Sequence, residues 1–227
     1  MKWCYGFAAA LITVSLACSA YKSAGSTNVQ TNTPGVSQQQ PASSPTPVKE
    51  KVPCTLTLAG APDLNGLRLG MTPKEVLAVF PGSSEDPQLK SSIARPPSKF
   101  GDSGFVIKPN NYGANEKFAD ATLVSIITFD GRVSTVTVNY NGPEFSHVDK
   151  FVEKIAQKYQ LPTVESWDPY PGLDDTLKVL KCSDFEVRAF IGGKGGTLNY
   201  IELRDLIAAK NRNERRAKAK AQATPGP

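Results

Sequence analysis

Histidine is the scarcest functional residue in these 227 residues: His147 stands alone, beside two methionines and two tryptophans. Zinc centres draw three or four ligands from His, Cys and carboxylates. With one imidazole and cysteines that have other uses, no metal site and no cofactor is expected. Ser146 precedes His147, but neighbours at a helix start project in different directions. Ser146 is therefore read as a helix cap rather than as half of a nucleophile–base pair. The Gly192-Gly193-Lys194-Gly195-Gly196 run lacks the Gly-x-x-x-x-Gly-Lys-Ser/Thr spacing of a phosphate loop and has strand-like segments on both sides, which makes it a hairpin turn. Long apolar runs are lacking too. The run over 7–16 stops short of the roughly 20 residues that cross a bilayer. The expectation is a non-catalytic protein. Acid–base chemistry by two carboxylates facing across a cleft stays open, because such pairing is made by the fold.

What is present at the start reads as an export signal. Lys2 precedes the apolar run, and Ala17-Cys18-Ser19-Ala20 follows it, so 1–17 has the order of a signal peptide. Leu16-Ala17-Cys18 resembles the end of a bacterial lipobox, which implies that Cys18 receives diacylglycerol and becomes the new N-terminus. Cleavage by an ordinary signal peptidase is the alternative, and it would give a soluble periplasmic or secreted protein. Residues 18–52 are rich in Ser, Thr, Gln and Pro with almost no large apolar side chain. They are expected to be a disordered tether spanning on the order of 30 Å. Ser19 stands where similar lipoproteins carry Asp for inner-membrane retention, which implies an outer-membrane lipoprotein facing the periplasm.

Cys4 leaves with the signal and Cys18 is assigned to lipid, so Cys54 and Cys182 remain for one disulfide in an oxidising compartment. Two buried free thiols are the alternative. The net charge of +5 sits in residues 208–227, where Lys210, Arg212, Arg215, Arg216, Lys218 and Lys220 face only Glu214. The body, 53–207, is neutral and long enough for one globular domain. Such a basic tail suits anionic headgroups, cell-wall polymers or an acidic partner, or is simply a solvated extension of a last helix. Nucleic acid is not expected in this compartment, and the oligomeric state is left open.

Within the domain, Thr72-Pro73-Lys74-Glu75 predicts a capped helix ending at Pro81-Gly82. Ser146, with Asp149 three places on, predicts a second, whose Val148, Phe151, Val152, Ile155 and Tyr159 form one apolar face. Residues 122–129 and 132–140 form a hairpin about Asp130-Gly131. A strand is expected at 104–107, and others at 176–182, 185–191 and 197–203. Residues 83–102 read as an irregular excursion. The fold class is α+β: a two-layer sandwich of antiparallel sheet with helices on one face, in two tandem helix-plus-three-strand units. Trp167 and Tyr170, with Asp174 and Asp175 nearby, make a possible partner surface. The competing reading buries Trp167 under its own loop.

The segment Leu67-Arg68-Leu69-Gly70-Met71-Thr72-Pro73-Lys74-Glu75-Val76, with the hairpin after it, resembles the SmpA/OmlA (BamE-like) small envelope lipoproteins. Tandem copies resemble the beta-lactamase-inhibitor-protein-like architecture. The resemblance implies an anchored envelope scaffold or accessory with a protein partner bound on its sheet. The alternative is a small-ligand or polysaccharide module using Trp167 and Tyr170.

Overall fold

The computed structural model describes residues 53–113, 116–173, 175–193 and 197–223. The signal peptide, Cys18, the whole tether, Asp174 and Lys194 lie outside the described residues. Helix α1 (Pro73–Ala78) begins as its sequence dictates: Thr72 accepts from the Glu75 backbone, and the Glu75 carboxylate accepts from Thr72 N at 2.7 Å. Donation to the Glu75 carboxylate from Thr72 N, and from Thr72 Oγ1 at 2.8 Å, holds that carboxyl below its ordinary range. The Gly70 and Met71 backbones pair with Val133 (Gly70 N to Val133 O 2.8 Å, Val133 N to Met71 O 2.8 Å), which seats the start of α1 against the sheet.

A second helix, α2 (Pro87–Ala94), occupies the stretch read as irregular. Its start is chemically explicit. Asp86 accepts from Gln88 N at 2.7 Å and Leu89 N at 3.1 Å, with Pro87 at the first helical position. Only Leu89 and Ile93 supply an apolar face, so periodicity left it faint. Tyr112 donates to the Asp86 carboxylate at 2.6 Å, lowering the Asp86 pKa. Burial, reinforced by this acceptor, pushes the Tyr112 phenol up to about 12.

Strand β1 (Asp102–Ile107) is followed by the hairpin β2 (Ala121–Phe129) and β3 (Arg132–Asn141). Asp130 and Gly131 turn it with positive φ at both positions, 50° and 75°, as a tight two-residue hairpin requires. Helix α3 (Val148–Tyr159) is capped by His147 rather than Ser146: the imidazole Nδ1 accepts from Asp149 N at 3.2 Å. The extended backbone of His147 brings the ring over the first turn, and Asp175 holds Nε2 at 3.3 Å. The chain continues through the short β4 (Asp168–Pro169), β5 (Leu177–Lys181), β6 (Phe185–Gly192) and β7 (Leu198–Asp205) into helix α4 (Leu206–Ala223).

All seven strands form one antiparallel sheet in the order β1-β2-β3-β7-β6-β5-β4, so the architecture is α+β. One row of register partners runs Phe105, Ile126, Val136, Leu203, Val187, Leu180, all buried in the core. The same core takes Val76 of α1, Leu89 of α2, and Val148, Phe151, Val152 and Ile155 of α3. A register shift between Ile127 and Thr128 sets Val133 opposite Thr128, and Val133 joins the core as well.

Helix α4 departs from the expected arrangement of helices on one face. Side chains alternate along a strand, so Asp102, Phe129, Glu186, Arg188 and Arg204 project away from the core row. Helix α4 meets residues of this set. Within 208–223, Arg212, Arg215 and Arg216 are held against the outer side of the sheet and its turns. Their attachment is ionic and aromatic, which a search for an apolar stripe does not find.

Candidate interaction surface

The side of the sheet away from the core presents three cross-strand rows. The first is Gly104, Ile127, Thr135, Arg204, Glu186 and Lys181, and the second Val106, Ser125, Thr137, Glu202, Arg188 and Val179. A third runs Leu123, Asn139, Tyr200, Phe190 and Leu177. Phe190 and Tyr200 stack with ring centroids 4.9 Å apart. At the other edge, Val106 and Ile127 are 49% and 38% exposed. Burial raises the Tyr200 pKa, so the phenol stays a neutral donor.

Charges in the middle of this face are internally matched. Glu186, almost fully buried, sits 2.6 Å from Arg188 Nη2 and 3.5 Å from Arg204 Nη1. Glu202 accepts from Thr137 Oγ1 at 3.3 Å and lies 3.7 Å from Arg188 Nη1. Arg188 Nε has no hydrogen-bond partner among the described residues. Between this lattice and Ala209, Asn213 and Ala217 of α4 lies an open groove of about 540 Å³. The face therefore offers aromatic and aliphatic contact area around a compensated polar centre. Aromatic side chains and arginine are enriched in specific protein interfaces.

Helix α4 is fastened at one end of the face through a socket for Arg215. Its guanidinium donates to both Asp130 carboxylate oxygens at 2.8 and 2.6 Å and lies 4.6 Å from the Phe129 ring centroid. A Cβ on Gly101 would stand 2.5 Å from Arg215 Nη1, and Gly101 has φ +91°, so both space and backbone call for glycine there. Arg212 and Arg216 pair with Asp102 at 3.3 and 3.4 Å, and Arg216 also lies over Phe100.

Arg215 hydrogen bonds hold the Asp130 carboxyl below its ordinary range. A carboxyl lowered by folding stabilises above its unfolded pKa of about 4, and that contribution fades as pH falls through the lowered folded value. Protection of the 213–223 amides, measured against intrinsic exchange at the same pH, should accordingly fall several-fold in Arg215→Ala and in the parent protein below about pH 4, with β2 and β3 still protected. Unchanged exchange in the variant would mean that the socket does not hold the helix.

The other residues singled out from sequence are placed as follows. Cys54 and Cys182 are bonded, with S–S 1.98 Å and Cα atoms 4.6 Å apart. Trp167 is 3% exposed, belongs to the core, and donates from Nε1 to Pro162 O at 3.0 Å. It packs under its own loop and cannot stack on a ligand from solvent. Tyr170 is exposed, and Asp175 is engaged by His147. Trp167 and Tyr170 do not form a shared cleft wall, because one ring is inside and the other outside. Of the six cations at the C-terminal end, Arg212, Arg215 and Arg216 are tied to Asp102 and Asp130, while Lys210 and Lys218 have no ion-pair partner among the described residues. Lys220 also takes part in an interaction.

The three outer rows were missed because sequence alternation shows which residues share a strand face but not which strands stand side by side. Among the described residues, no group of three or more His, Cys, Asp or Glu side chains is placed to hold a metal ion, and no helix is long and apolar enough to cross a membrane. Compared with protein-family models, curated proteins and solved structures, the chain matches none of them.

Proposed function

We propose that this chain is an exported, lipid-anchored, non-catalytic scaffold or accessory of the cell envelope whose protein partner docks on the sheet face away from the core. The observation that carries the reading is the three-row face itself. Phe190, Tyr200, Val106 and Ile127 stand on a rigid sheet with its central charges already paired, and α4 covers only one end. Burying such a face gains apolar area without stranding ions.

Anchoring through Cys18 and a tether over 18–52 would keep that face within reach of a membrane-bound partner. The palindromic strand order β1-β2-β3-β7-β6-β5, with helices before each triplet, supports two tandem helix-plus-three-strand units meeting at β3 and β7. The capping box at Thr72 and the hairpin at Asp130 support the likeness to the BamE-like envelope lipoproteins in the first of them. The polysaccharide alternative loses its main contact, since Trp167 is buried.

Crosslinking of the tagged chain in its native envelope tests this, with the parent compared to Cys18→Ala and to Val106→Asp/Ile127→Asp. A stoichiometric protein captured by the parent should be lost from the face variant, whose stability should stay within about 1 kcal/mol because both changes are on the surface. Cys18→Ala should reduce capture by removing the membrane anchor. Capture that persists in a folded Val106→Asp/Ile127→Asp protein rejects the sheet face as the docking site.

A further inference from the structure

On the helix side of the sheet, α3 and the end of β3 enclose a small aromatic pocket that the proposed scaffold role does not use. Tyr140, Phe145, Phe151 and Tyr159 form its walls, and Lys154 and Lys158 stand at its mouth. Phe145 and Phe151 meet at 5.2 Å between centroids, and Tyr140 meets Phe151 edge-on at 6.3 Å. Tyr159 donates to Asn65 Oδ1 at 3.4 Å, which leaves its oxygen to accept from Tyr140 at 3.5 Å. The two hydroxyl protons are thus used within the wall. Burial keeps Tyr140 in its neutral form. The pocket interior is left with ring faces and edges.

Size decides what fits. The cavity is about 50 Å³, well below the roughly 300–1,000 Å³ of small-molecule sites, yet several times the roughly 10–15 Å³ that admits one water. Its dimensions suit the end of one aliphatic side chain, as anchor pockets at protein interfaces do.

Charge decides what flanks that side chain. Lys154 lies 6.0 Å from the Phe145 ring centroid and Lys158 5.1 Å from the Tyr159 ring centroid, and neither has an ion-pair partner among the described residues. Among the described residues Asp120 is the one acid lining the pocket, so two ammonium groups face one carboxylate. Lys150, one turn earlier on α3, is already paired with Glu153 at 3.0 Å. We propose that this pocket anchors an acidic segment of a partner protein, with one aliphatic side chain inserted among the four rings and flanking carboxylates on Lys154 and Lys158. The site lies on the opposite side of the sheet from the three-row face and stands or falls independently of it.

Titration of the intact chain with an acidic pentapeptide carrying a central leucine, followed by NMR, provides the test. Saturable shifts are expected at Tyr140, Phe145, Phe151 and Tyr159. The same peptide with central alanine should bind at least about tenfold more weakly, given about 0.8 kcal/mol per buried methylene. Lys154→Gln/Lys158→Gln, two exposed changes that leave the core intact, should weaken the leucine peptide by about three- to tenfold and flatten its salt dependence. Equal binding of the two peptides, equal binding by the double variant, or no saturable shift up to about millimolar peptide would each overturn the assignment. So would butanol, a neutral apolar probe, producing the same shifts with the same affinity as the leucine peptide.

Discussion

Loss of the Cys54–Cys182 bond is expected to lower the stability of the domain by about 4–5 kcal/mol, on a chain-entropy account of a long closed loop. The two cysteines are 128 positions apart, so the bond closes a loop that takes in everything from the start of the domain to the end of β5. Folded-state contacts around it add to the coupling. Ser183 N donates to Leu56 O at 3.1 Å, and Leu58 N donates to the Asp184 carboxylate at 3.3 Å, which lays the segment after Cys54 along the β5–β6 turn. A domain of this size shifts its midpoint by about 2–4 °C per kcal/mol. Reductant should therefore lower Tm by roughly 10–20 °C, and Cys54→Ser/Cys182→Ser should start at the lower value and ignore reductant. A parent Tm indifferent to reductant would show that this crosslink contributes little to folding.

Trp167→Ala should cost about 3–5 kcal/mol, the range for removing a buried large aromatic. The ring is 3% exposed within the main core, and its indole N–H is satisfied by Pro162 O. Truncation opens a cavity and strips that carbonyl of its donor. The urea midpoint is the measurement, and Trp167→Phe should fall between parent and alanine because it restores most of the volume without the hydrogen bond. The outcome also separates two roles for this residue. A ligand-stacking tryptophan on the surface would cost less than about 1 kcal/mol on truncation, and that result would reopen the polysaccharide reading.

Local chemistry explains what was legible in the sequence. Thr72 and Glu75 form the expected capping box, Asp130-Gly131 makes the expected turn, and Val148, Phe151, Val152 and Ile155 face the core as their spacing predicts. Each depends on residues within about one or two helical turns of one another. The strands at 122–129 and 132–140 emerged with their ends displaced by one residue at most.

The features that sequence reading placed differently depend on distant partners. His147 displaced Ser146 as the α3 cap, with Asp175 reaching its ring from 28 positions away. Helix α4 docks through Arg215 on Asp130 and Phe129, 85 positions from that carboxylate. A run of Arg, Lys and Ala without an apolar stripe gave no sign of this, because a guanidinium over a ring looks in sequence like any solvated charge.

By itself, then, the sequence determined the local starts, turns and apolar faces, since caps, positive-φ turns and side-chain periodicity act over a few residues. Tertiary structure alone decided that β3 lies beside β7 and that Phe190 stacks on Tyr200. It also decided that Trp167 points inward and that α4 lies over one end of the outer face. Those outcomes depend on which strands become neighbours, and strand adjacency is fixed by burial of the whole core at once rather than by any segment's own pattern.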